Sequence, residues 1–301
     1  MKNLSDEYDR ITQRYQLHGK QEMVDTEIPG VSYFHSPNYS PRTAVAYEPG
    51  IAIIGTGKKT AYLDDKEYQY YAGQHLLLTI PLILECETFA SEEEPLQGFF
   101  IKLDLPSLGS MVRRILHASP NIFTETSDYF IGVEPIPNSD ELIEIQCRLL
   151  DTLQSPLDAE IIGKSIIDEF IYRLLLRPEG KALFALVQHT THFGNIAKTI
   201  ELTHNDLTRN YTVRELAEHS GMSISSFHRA FKQVTNESPL QYIKKMKLFK
   251  AKTLIIHEGM KISLASQQVG YESVSQFSRE FKRLFHVPPS QSNKISYAEV
   301  N

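Results

Sequence analysis

Two short segments of the sequence carry the same hydrogen-bond donors at the same spacing. Arg229 and Lys232 in the first segment recur as Arg279 and Lys282, fifty positions further along the chain. A guanidinium group suits the paired acceptors of a guanine edge, and an ammonium group suits a phosphate oxygen. The two segments therefore carry side chains suited to contact double-stranded DNA.

The apolar residues of each segment determine which side of it faces outward. Phe227, Phe231 and Val234 lie at the i, i+4 and i+7 positions of one helical face, which we expect to be buried. The second copy repeats this spacing with Phe277, Phe281 and Leu284. The opposite faces, which we expect to point at DNA, carry Ser225, His228, Arg229 and Lys232 in the first copy and Ser275, Ser278, Arg279 and Lys282 in the second.

A glycine precedes each segment and marks a turn between two helices. Gly221 and Gly270 follow short stretches with apolar or small residues at helical spacing. Glycine permits the left-handed conformation that a sharp turn requires. Two candidate capping boxes, which satisfy the free amides of a helix start, are Thr212 with Glu215 and Ser273 with Gln276. Each unit is predicted to be a helix, a glycine turn and a second helix.

A continuous helix is predicted between the two units. Leu240 to His257 contains neither Gly nor Pro, and Gly259 ends the stretch. A helix of about eighteen residues is roughly 27 Å long. Since one turn of B-DNA is roughly 34 Å, a stiff spacer of this length can place two recognition helices near successive major grooves. Its basic residues are Lys244, Lys245, Lys247, Lys250 and Lys252.

These features resemble the DNA-binding domain of the AraC/XylS family of bacterial transcriptional regulators, which has two helix-turn-helix units joined by a long helix. The resemblance covers about residues 194–293 and includes Leu216-Ala217, Ser220-Gly221, Pro239 to Ile243, Val269 to Ser273 and Pro289. It implies a transcription regulator that binds promoter DNA, with RNA polymerase as a further partner. By position, it places the DNA contacts at Ser225, Ser226, His228, Arg229 and Lys232, and at Val274, Ser275, Gln276, Ser278, Arg279 and Lys282. Ser266 departs from the alanine usual in the family.

Charge divides the chain in the same way. Residues 195–301 contain fifteen Lys and Arg against nine Asp and Glu, hence +6, whereas the remainder has sixteen against twenty-eight, hence −12. A length of 301 residues with 41% apolar content is typical of a globular chain of about two domains. No apolar run approaches the roughly twenty residues of a membrane helix, and no signal region opens the sequence. We expect a cytoplasmic protein without membrane contact.

The amino-terminal half has a β pattern followed by a helical one. From about Thr43 to Asp104, short runs rich in Val, Ile, Tyr and Phe alternate with turn clusters, which favours a small sandwich or barrel. Two amphipathic helices are then predicted, from Ser139 to Leu153 and from Asp158 to Leu176. The second has apolar residues at Ile161, Ile162, Ile166, Phe170 and Leu174. The predicted organisation is α+β: residues 1–186 as a β-barrel with trailing helices, 187–194 as a linker, and 195–301 as the all-α tandem unit.

Residues 15–185 are similar to the cupin-like amino-terminal domain of one AraC-type subgroup. The similarity lies in short phrases such as Ile28-Pro29-Gly30, Tyr47-Glu48-Pro49 and Gly57-Lys58-Lys59. It implies a domain that binds a small effector or pairs two subunits. Aromatic residues with hydroxyl groups suit such a pocket, and an electrophile sensor at Cys86 is a further hypothesis, against an inert thiol flanked by two carboxylates. The predicted effector-binding residues are Tyr33, Tyr47, Tyr62, His75 and Cys86.

An enzyme is the alternative, because many cupin barrels hold a catalytic metal. The sequence lacks their His-x-His pair, and His35 and His75 stand alone near the predicted strands. A DNA-repair protein with the same tandem motif would need a zinc-held cysteine, whereas only Cys86 and Cys147 are present, far apart. We therefore predict no catalytic residue, no metal site and no cofactor, with a metal-dependent cupin enzyme fused to a DNA-binding domain as the alternative.

Overall fold

The computed structural model describes residues 4–63, 66–122, 130–188 and 191–294. These residues form two compact units. The first unit comprises the residues up to 122 and Gly132–Gln188, and the second comprises 191–294 with residues 130 and 131. One of the turn clusters expected between the predicted strands, Asp64-Asp65, lies outside the described residues, as do the linker residues His189 and Thr190.

The first unit is built on two antiparallel sheets. The strands of its described residues are β1 (Glu22–Asp25), β2 (Val31–Ser36), β3 (Ser40–Tyr47), β4 (Gly50–Thr56), β5 (Lys58–Leu63), β6 (Lys66–Tyr71), β7 (Gln74–Leu78), β8 (Leu82–Phe89), β9 (Leu96–Lys102) and β10 (Val133–Pro137). One sheet has the order β1-β2-β9-β4-β7-β10 and the other β3-β8-β5-β6. The predicted cupin-like β fold is confirmed.

Strand β8 shows how the sequence places side chains on the two faces. Leu82, Leu84, Cys86 and Thr88 are buried, whereas the alternating Glu85 is exposed. Side chains of a strand point alternately to opposite faces, so the apolar positions are directed into the unit. The carboxylate of Glu85 therefore lies on the face opposite to the Cys86 thiol.

Three strands lie outside the stretch that the sequence pattern predicted. Strands β1 and β2 precede Thr43, and β10 follows the first helix after the sheets. Strand β10 contains Pro135 and Pro137, which argue against a strand in a sequence because proline donates no backbone hydrogen bond. It is accommodated here because β10 is the edge strand and pairs with β7 alone.

The helices of the first unit are α1 (Leu4–Arg14), α2 (Leu105–Ala118), α3 (Asp140–Thr152), α4 (Pro156–Leu175) and α5 (Lys181–Leu186), with a 3₁₀ turn at Pro178–Gly180. Helix α3 begins after the N-cap Ser139, as predicted. Helix α4 begins at Pro156, two residues earlier than predicted, because Ser155 caps it and proline is tolerated in the first turn.

Helix α4 does not bury all of its apolar residues. Ile166, Phe170 and Leu174 are buried, but Ile161 is 69% exposed and Ile162 is 47% exposed. The five apolar residues named for this predicted helix are therefore not all part of the core. Ile161 lies about half a turn from the buried row of Ile166, Phe170 and Leu174, whereas Ile162 continues that row at its amino-terminal end, where it becomes exposed.

The second unit consists of α6 (His192–Asn205), α7 (Val213–His219), α8 (Ile224–Thr235), α9 (Pro239–Ile256), α10 (Ile262–Gln268) and α11 (Val274–Phe285), with a 3₁₀ segment at Pro289–Lys294. Helices α7 and α8 form one helix-turn-helix, α10 and α11 form the other, and α9 joins them. The predicted tandem arrangement is confirmed. Helix α6 begins at His192, inside the segment predicted as a linker.

The turns and caps of the second unit follow the sequence pattern with two differences. Gly221 and Gly270 have φ values of +66° and +77°, the left-handed conformation expected of a turn glycine. The capping box of Thr212 and Glu215 is complete. At the second site the Ser273 hydroxyl accepts the Gln276 amide, but the Gln276 side chain donates to Glu280, at 3.4 Å.

The second difference concerns the core of α11. Phe277 and Phe281 are fully buried, whereas Leu284 is only partly buried and Phe285, 8% exposed, takes the third position. The Phe285 ring packs against Phe281 and Phe249, at centroid distances of 4.5 and 4.9 Å. The hydroxyl of buried Ser266 donates to the Ser263 carbonyl at 2.9 Å, so the departure from alanine introduces no unsatisfied group.

Among the described helices, none combines the length and the apolar character that a bilayer-spanning segment needs.

Candidate nucleic-acid interface and effector site

Helix α8 presents one polar face that is free of the core. Its N-cap Ser223 accepts the Ser226 amide, and its C-cap Asn236 is left-handed with φ +62°. Phe227, Phe231 and Val234 are all buried, which fixes the rotation of the helix. The predicted contact residues on the other side are all exposed: Ser225, Ser226, His228, Arg229 and Lys232.

Helix α11 presents the equivalent face. It begins after the N-cap Ser273 and ends at His286, which is left-handed with φ +62°. Of the predicted contact residues, Val274, Ser275, Gln276, Arg279 and Lys282 are exposed and Ser278 is half-buried. The structure therefore brings each predicted set together on one side of one helix.

These two faces have the composition of a DNA-reading surface. Each presents one arginine and one lysine. The forked guanidinium group of the arginine can pair with a guanine edge, and the compact ammonium group of the lysine can pair with a phosphate. Serine and histidine beside them donate and accept hydrogen bonds at base edges or at the sugar-phosphate backbone. An amphipathic helix whose apolar row is buried is a rigid support for such contacts.

The lysines of α9 do not form a single DNA-facing stripe. Lys247 and Lys252 are only 6% and 2% exposed. Lys244 pairs with Glu280 at 3.2 Å, and Lys245 pairs with Glu237. Lys247 donates to the Asn210 side-chain oxygen at 2.8 Å, and burial lowers the pKa of Lys247. Lys244, Lys245 and Lys247 therefore connect α9 to its neighbours, and the partners of Lys244 and Lys247 are distant in sequence.

A buried polar cluster lies on the inner face of the four-stranded sheet. Lys59, which is 8% exposed, donates to the Tyr47 hydroxyl at 2.8 Å. The same hydroxyl is 3.3 Å from that of Tyr70 and 3.4 Å from the Cys86 sulfur. Two of the predicted effector-binding residues, Tyr47 and Cys86, thus meet around a lysine that was not predicted.

The charge of Lys59 is poorly solvated in this cluster. Burial lowers the pKa of Lys59, and burial together with the neighbouring Cys86 raises the pKa of Tyr47. No carboxylate of the described residues lies within ion-pair distance of the ammonium. Strand alternation could have identified it, because Lys59 shares an inward face with Ala61 and Leu63 in β5.

The other predicted effector residues lie apart from this cluster. The Tyr33 hydroxyl bonds to Thr12 at 2.8 Å, and its ring packs among those of Tyr8 and Phe99. Tyr62 donates to Glu87 at 3.1 Å. The five residues therefore do not line one pocket, and neither of two surface grooves of the first unit, about 920 and 1330 Å³, includes any of them.

His75 is fully buried with its ring 5.9 Å from that of Phe170. Among the described residues, neither ring nitrogen has a hydrogen-bond partner at bonding distance. Burial lowers the pKa of His75 to about 4. It is therefore a neutral core residue near neutral pH, separate from the cluster around Lys59.

The described ranges contain no group of three or more His, Cys, Asp or Glu side chains arranged to hold a metal ion.

Comparison with known proteins agrees with this geometry. The family model of the AraC-type transcriptional regulator N-terminus matches residues 27–182, more than half of the chain, and a helix-turn-helix domain model matches residues 216–294. The chain belongs to the AraC family of DNA-binding transcription regulators.

Its relatives include transcription activators of bacteria. It is 23% identical over 270 residues to the lactose operon transcription activator of Staphylococcus xylosus, covering 89% of this chain and 88% of that one. It is 23% identical over 208 residues to the virulence regulon transcriptional activator VirF of Yersinia enterocolitica, covering 68% of this chain and 72% of that one. These relatives are transcription regulators.

Solved structures show the same fold over both units. ToxT from Vibrio cholerae with a bound unsaturated fatty acid matches with a TM-score of 0.59 at 16% identity, covering 90% of this chain and 96% of that one. ToxT bound to a naphthalenyl butenoic acid matches with a TM-score of 0.54 at 14% identity, covering 86% and 97%. At these identities the likeness concerns the fold.

Proposed function

We propose that the protein binds an asymmetric promoter site, with α8 and α11 in two successive major grooves. One observation supports this most: the same exposed Arg and Lys positions recur on two amphipathic helices joined by the 18-residue α9. The two faces differ at His228 against Ser278. Imidazole and hydroxyl groups prefer different base edges, so the two half-sites differ in sequence.

The arginines provide the test of this proposal. A preferred site is first selected from a random duplex pool with the full chain, and affinities are then measured by fluorescence anisotropy. Arg229→Ala and Arg279→Ala should each cost on the order of 1–3 kcal/mol and relax base preference in one half-site only. Lys282→Ala should weaken binding to all duplexes evenly and reduce the salt slope. Unchanged base preference in both arginine variants would refute the assignment.

We also propose that an effector acts through the cluster around Lys59. A buried ammonium with a phenol as its hydrogen-bond partner is suited to bind the carboxylate of a ligand. The ToxT structures hold carboxylic acids, which makes this class the first to test here. The Lys59 ammonium has three N–H groups and donates one to the Tyr47 hydroxyl, so a carboxylate can accept from the others.

Binding of a panel of carboxylic acids by calorimetry tests this site. Lys59→Met should abolish the binding of these acids. The matched control Lys58→Met, in the same strand, should still bind them. Cys86→Ser separates the electrophile hypothesis, since it should abolish a response to thiol-reactive compounds and leave carboxylate binding intact. Equal binding to Lys59→Met and to the wild type would exclude Lys59 as the anchor.

A homodimer through α4 is a further part of the proposal. Leu157 and Ile161 are 70% and 69% exposed on the same side of this helix. Exposed apolar side chains one turn apart favour an isologous contact with a second copy. Sedimentation of Ile161→Glu against the wild type tests it, and an unchanged molecular mass would exclude this face.

We place the dimer in the cytoplasm, with RNA polymerase at the promoter as the protein partner.

A further inference from the structure

Lys247 lies at a junction between three parts of the second unit. It belongs to α9, is 6% exposed, and donates from Nζ to the Asn210 side-chain oxygen at 2.8 Å. A lysine loses hydration when its ammonium is buried, and the loss is offset only if its hydrogen bonds are specific. The position of this side chain is therefore determined by the groups around it.

The first of these groups is the loop that leads into the first helix-turn-helix. Asp206 accepts hydrogen bonds from the Thr208 hydroxyl at 2.5 Å and from the Arg209 amide at 3.3 Å. Arg209 in turn donates to Glu215, at 2.8 Å, inside the capping box of α7. The loop that carries Asn210 is thus ordered by its own hydrogen bonds, and it leads directly into α7, the first helix of the first helix-turn-helix.

The second group is the turn of the other helix-turn-helix. A Cβ atom placed on Gly270 would lie 2.2 Å from the Thr208 carbonyl oxygen and 3.0 Å from Lys247 Nζ. The backbone of this turn is therefore in direct contact with the loop before the first helix-turn-helix and with the lysine. Gly221, at the matching position of the first copy, has nothing within 4 Å of such an atom.

We propose that Lys247 is a positioning residue that holds the second helix-turn-helix in one orientation relative to the first. It thereby sets the single spacing between half-sites that the protein accepts. This inference rests on the proposed reading of two successive grooves.

Spacing is a sensitive readout of such a role. Inserting one base pair between the half-sites moves the second one by roughly 3.4 Å and rotates it by roughly 34° around the duplex. A rigid pair of recognition helices cannot follow this change, whereas a pair with a loosened junction can. A purely structural role of Lys247 would lower affinity for every duplex by the same factor.

The experiment uses the full chain and the duplex selected for it, with zero or one base pair inserted between the half-sites. The wild type should lose about thirtyfold or more in affinity on insertion, as expected when one half-site is lost. Lys247→Met should lose less than about fivefold on the same change. Lys250→Met, an exposed lysine on the same helix, removes the same charge and should keep the discrimination of the wild type.

A second variant covers the case in which Lys247→Met fails to fold. Asn210→Ala removes the acceptor from an exposed loop residue and should relax spacing in the same direction. If the folded variants discriminate the inserted duplex as strongly as the wild type, the inference is overturned. If the wild type itself ignores the insertion or a scrambled second half-site, the reading of two grooves has failed instead.

Discussion

In the first helix-turn-helix the turn glycine faces open space, whereas in the second it is packed against the chain. Gly221 has nothing within 4 Å of its missing side chain, but a Cβ on Gly270 would come within 2.2 Å of the Thr208 carbonyl oxygen. Both glycines adopt positive φ values, so both serve the turn itself. Gly270 additionally permits a close backbone approach.

Both recognition helices pack an aromatic ring against α9, but α11 adds polar contacts at a position where α8 is apolar. In α8, Ala230 is buried and Phe231 packs edge-on against Tyr242 of α9, at a centroid distance of 5.4 Å. At the position equivalent to Ala230, Glu280 of α11 accepts from Tyr271 at 2.7 Å and pairs with Lys244 at 3.2 Å. Apolar contacts are non-directional and hydrogen bonds are directional. The exposed faces of α8 and α11 are therefore alike, but directional hydrogen bonds restrict the orientation of α11 more than apolar contacts restrict that of α8.

The largest contrast is expected between the two turn glycines. Gly221→Ala should cost about 1 kcal/mol, the usual penalty for alanine at positive φ. Gly270→Ala adds a clash with backbone and should cost about 3 kcal/mol or more. Urea unfolding followed by circular dichroism measures both, with hydrogen exchange of α10 and α11 to locate the loss. Equal losses would remove the distinction between the two turns.

The next contrast concerns recognition. His228→Ser should change base preference in the first half-site alone, by about 2 kcal/mol at one base pair, and Ser278→His should do so in the second. Half-buried Ser278 leaves less room for the larger ring, so the gain of a new preference should be smaller there. Repeated selection with each variant measures the change. A shift in both half-sites from one variant would contradict the separate faces.

Removing the polar attachment of α11 should have a moderate effect. Glu280→Ala breaks the bonds from Tyr271 and Lys244 and should lower stability by about 1 kcal/mol, the usual worth of such contacts at a partly exposed site. The exposed Glu272→Ala, two residues before the start of α11, should change stability by less than about 0.5 kcal/mol. The stability losses of the two variants are compared by their denaturant midpoints. If Glu280→Ala loses no more stability than Glu272→Ala, the polar contacts of Glu280 do not contribute to the attachment of α11.

The smallest effect is a dependence on pH confined to the first capping box. The backbone amide and the hydroxyl of Thr212, and then Arg209, hold the pKa of Glu215 at about 2. A depressed pKa means that this stabilisation is complete above the ordinary value near 4.5 and is lost as the pH falls toward 2. The second box has Gln276 instead, which does not titrate.

Hydrogen exchange can compare the two caps directly. The amides of Glu215 and Gln276 donate to their cap hydroxyls at 3.2 and 3.3 Å. The protection factor of the Glu215 amide should fall between pH 5 and pH 3 more than that of the Gln276 amide, and Glu215→Gln should flatten its dependence. Since Glu280 beside Gln276 also has a lowered pKa, the same series in Glu280→Ala serves as the background. Parallel falls at both amides would contradict this prediction.

The tandem unit was predictable because its signals are local. Glycine turns, hydroxyl caps and phenylalanines at helical spacing each act within a few residues. The attachments of Lys244 and Lys247 were not predictable, because their partners Glu280 and Asn210 lie more than thirty residues away in sequence. In the first unit, β10 was missed because its prolines are acceptable only at a sheet edge, which is a property of topology. The cluster around Lys59 is formed by residues of four strands, so it could not be predicted from short segments. Residue type alone had grouped Tyr47 of this cluster with Tyr33 and Tyr62, which lie elsewhere.

The ends of the six-stranded sheet have a consequence for the behaviour of the protein in concentrated solution. One edge, β10, carries Pro135 and Pro137, and the other, β1, begins and ends with Glu22 and Asp25. Missing amide hydrogens and charged side chains both oppose the addition of a foreign strand. Both edge strands of the sheet therefore oppose aggregation by edge-to-edge strand pairing. Substituting the two prolines with valine should make the protein prone to fibrillar precipitation on storage.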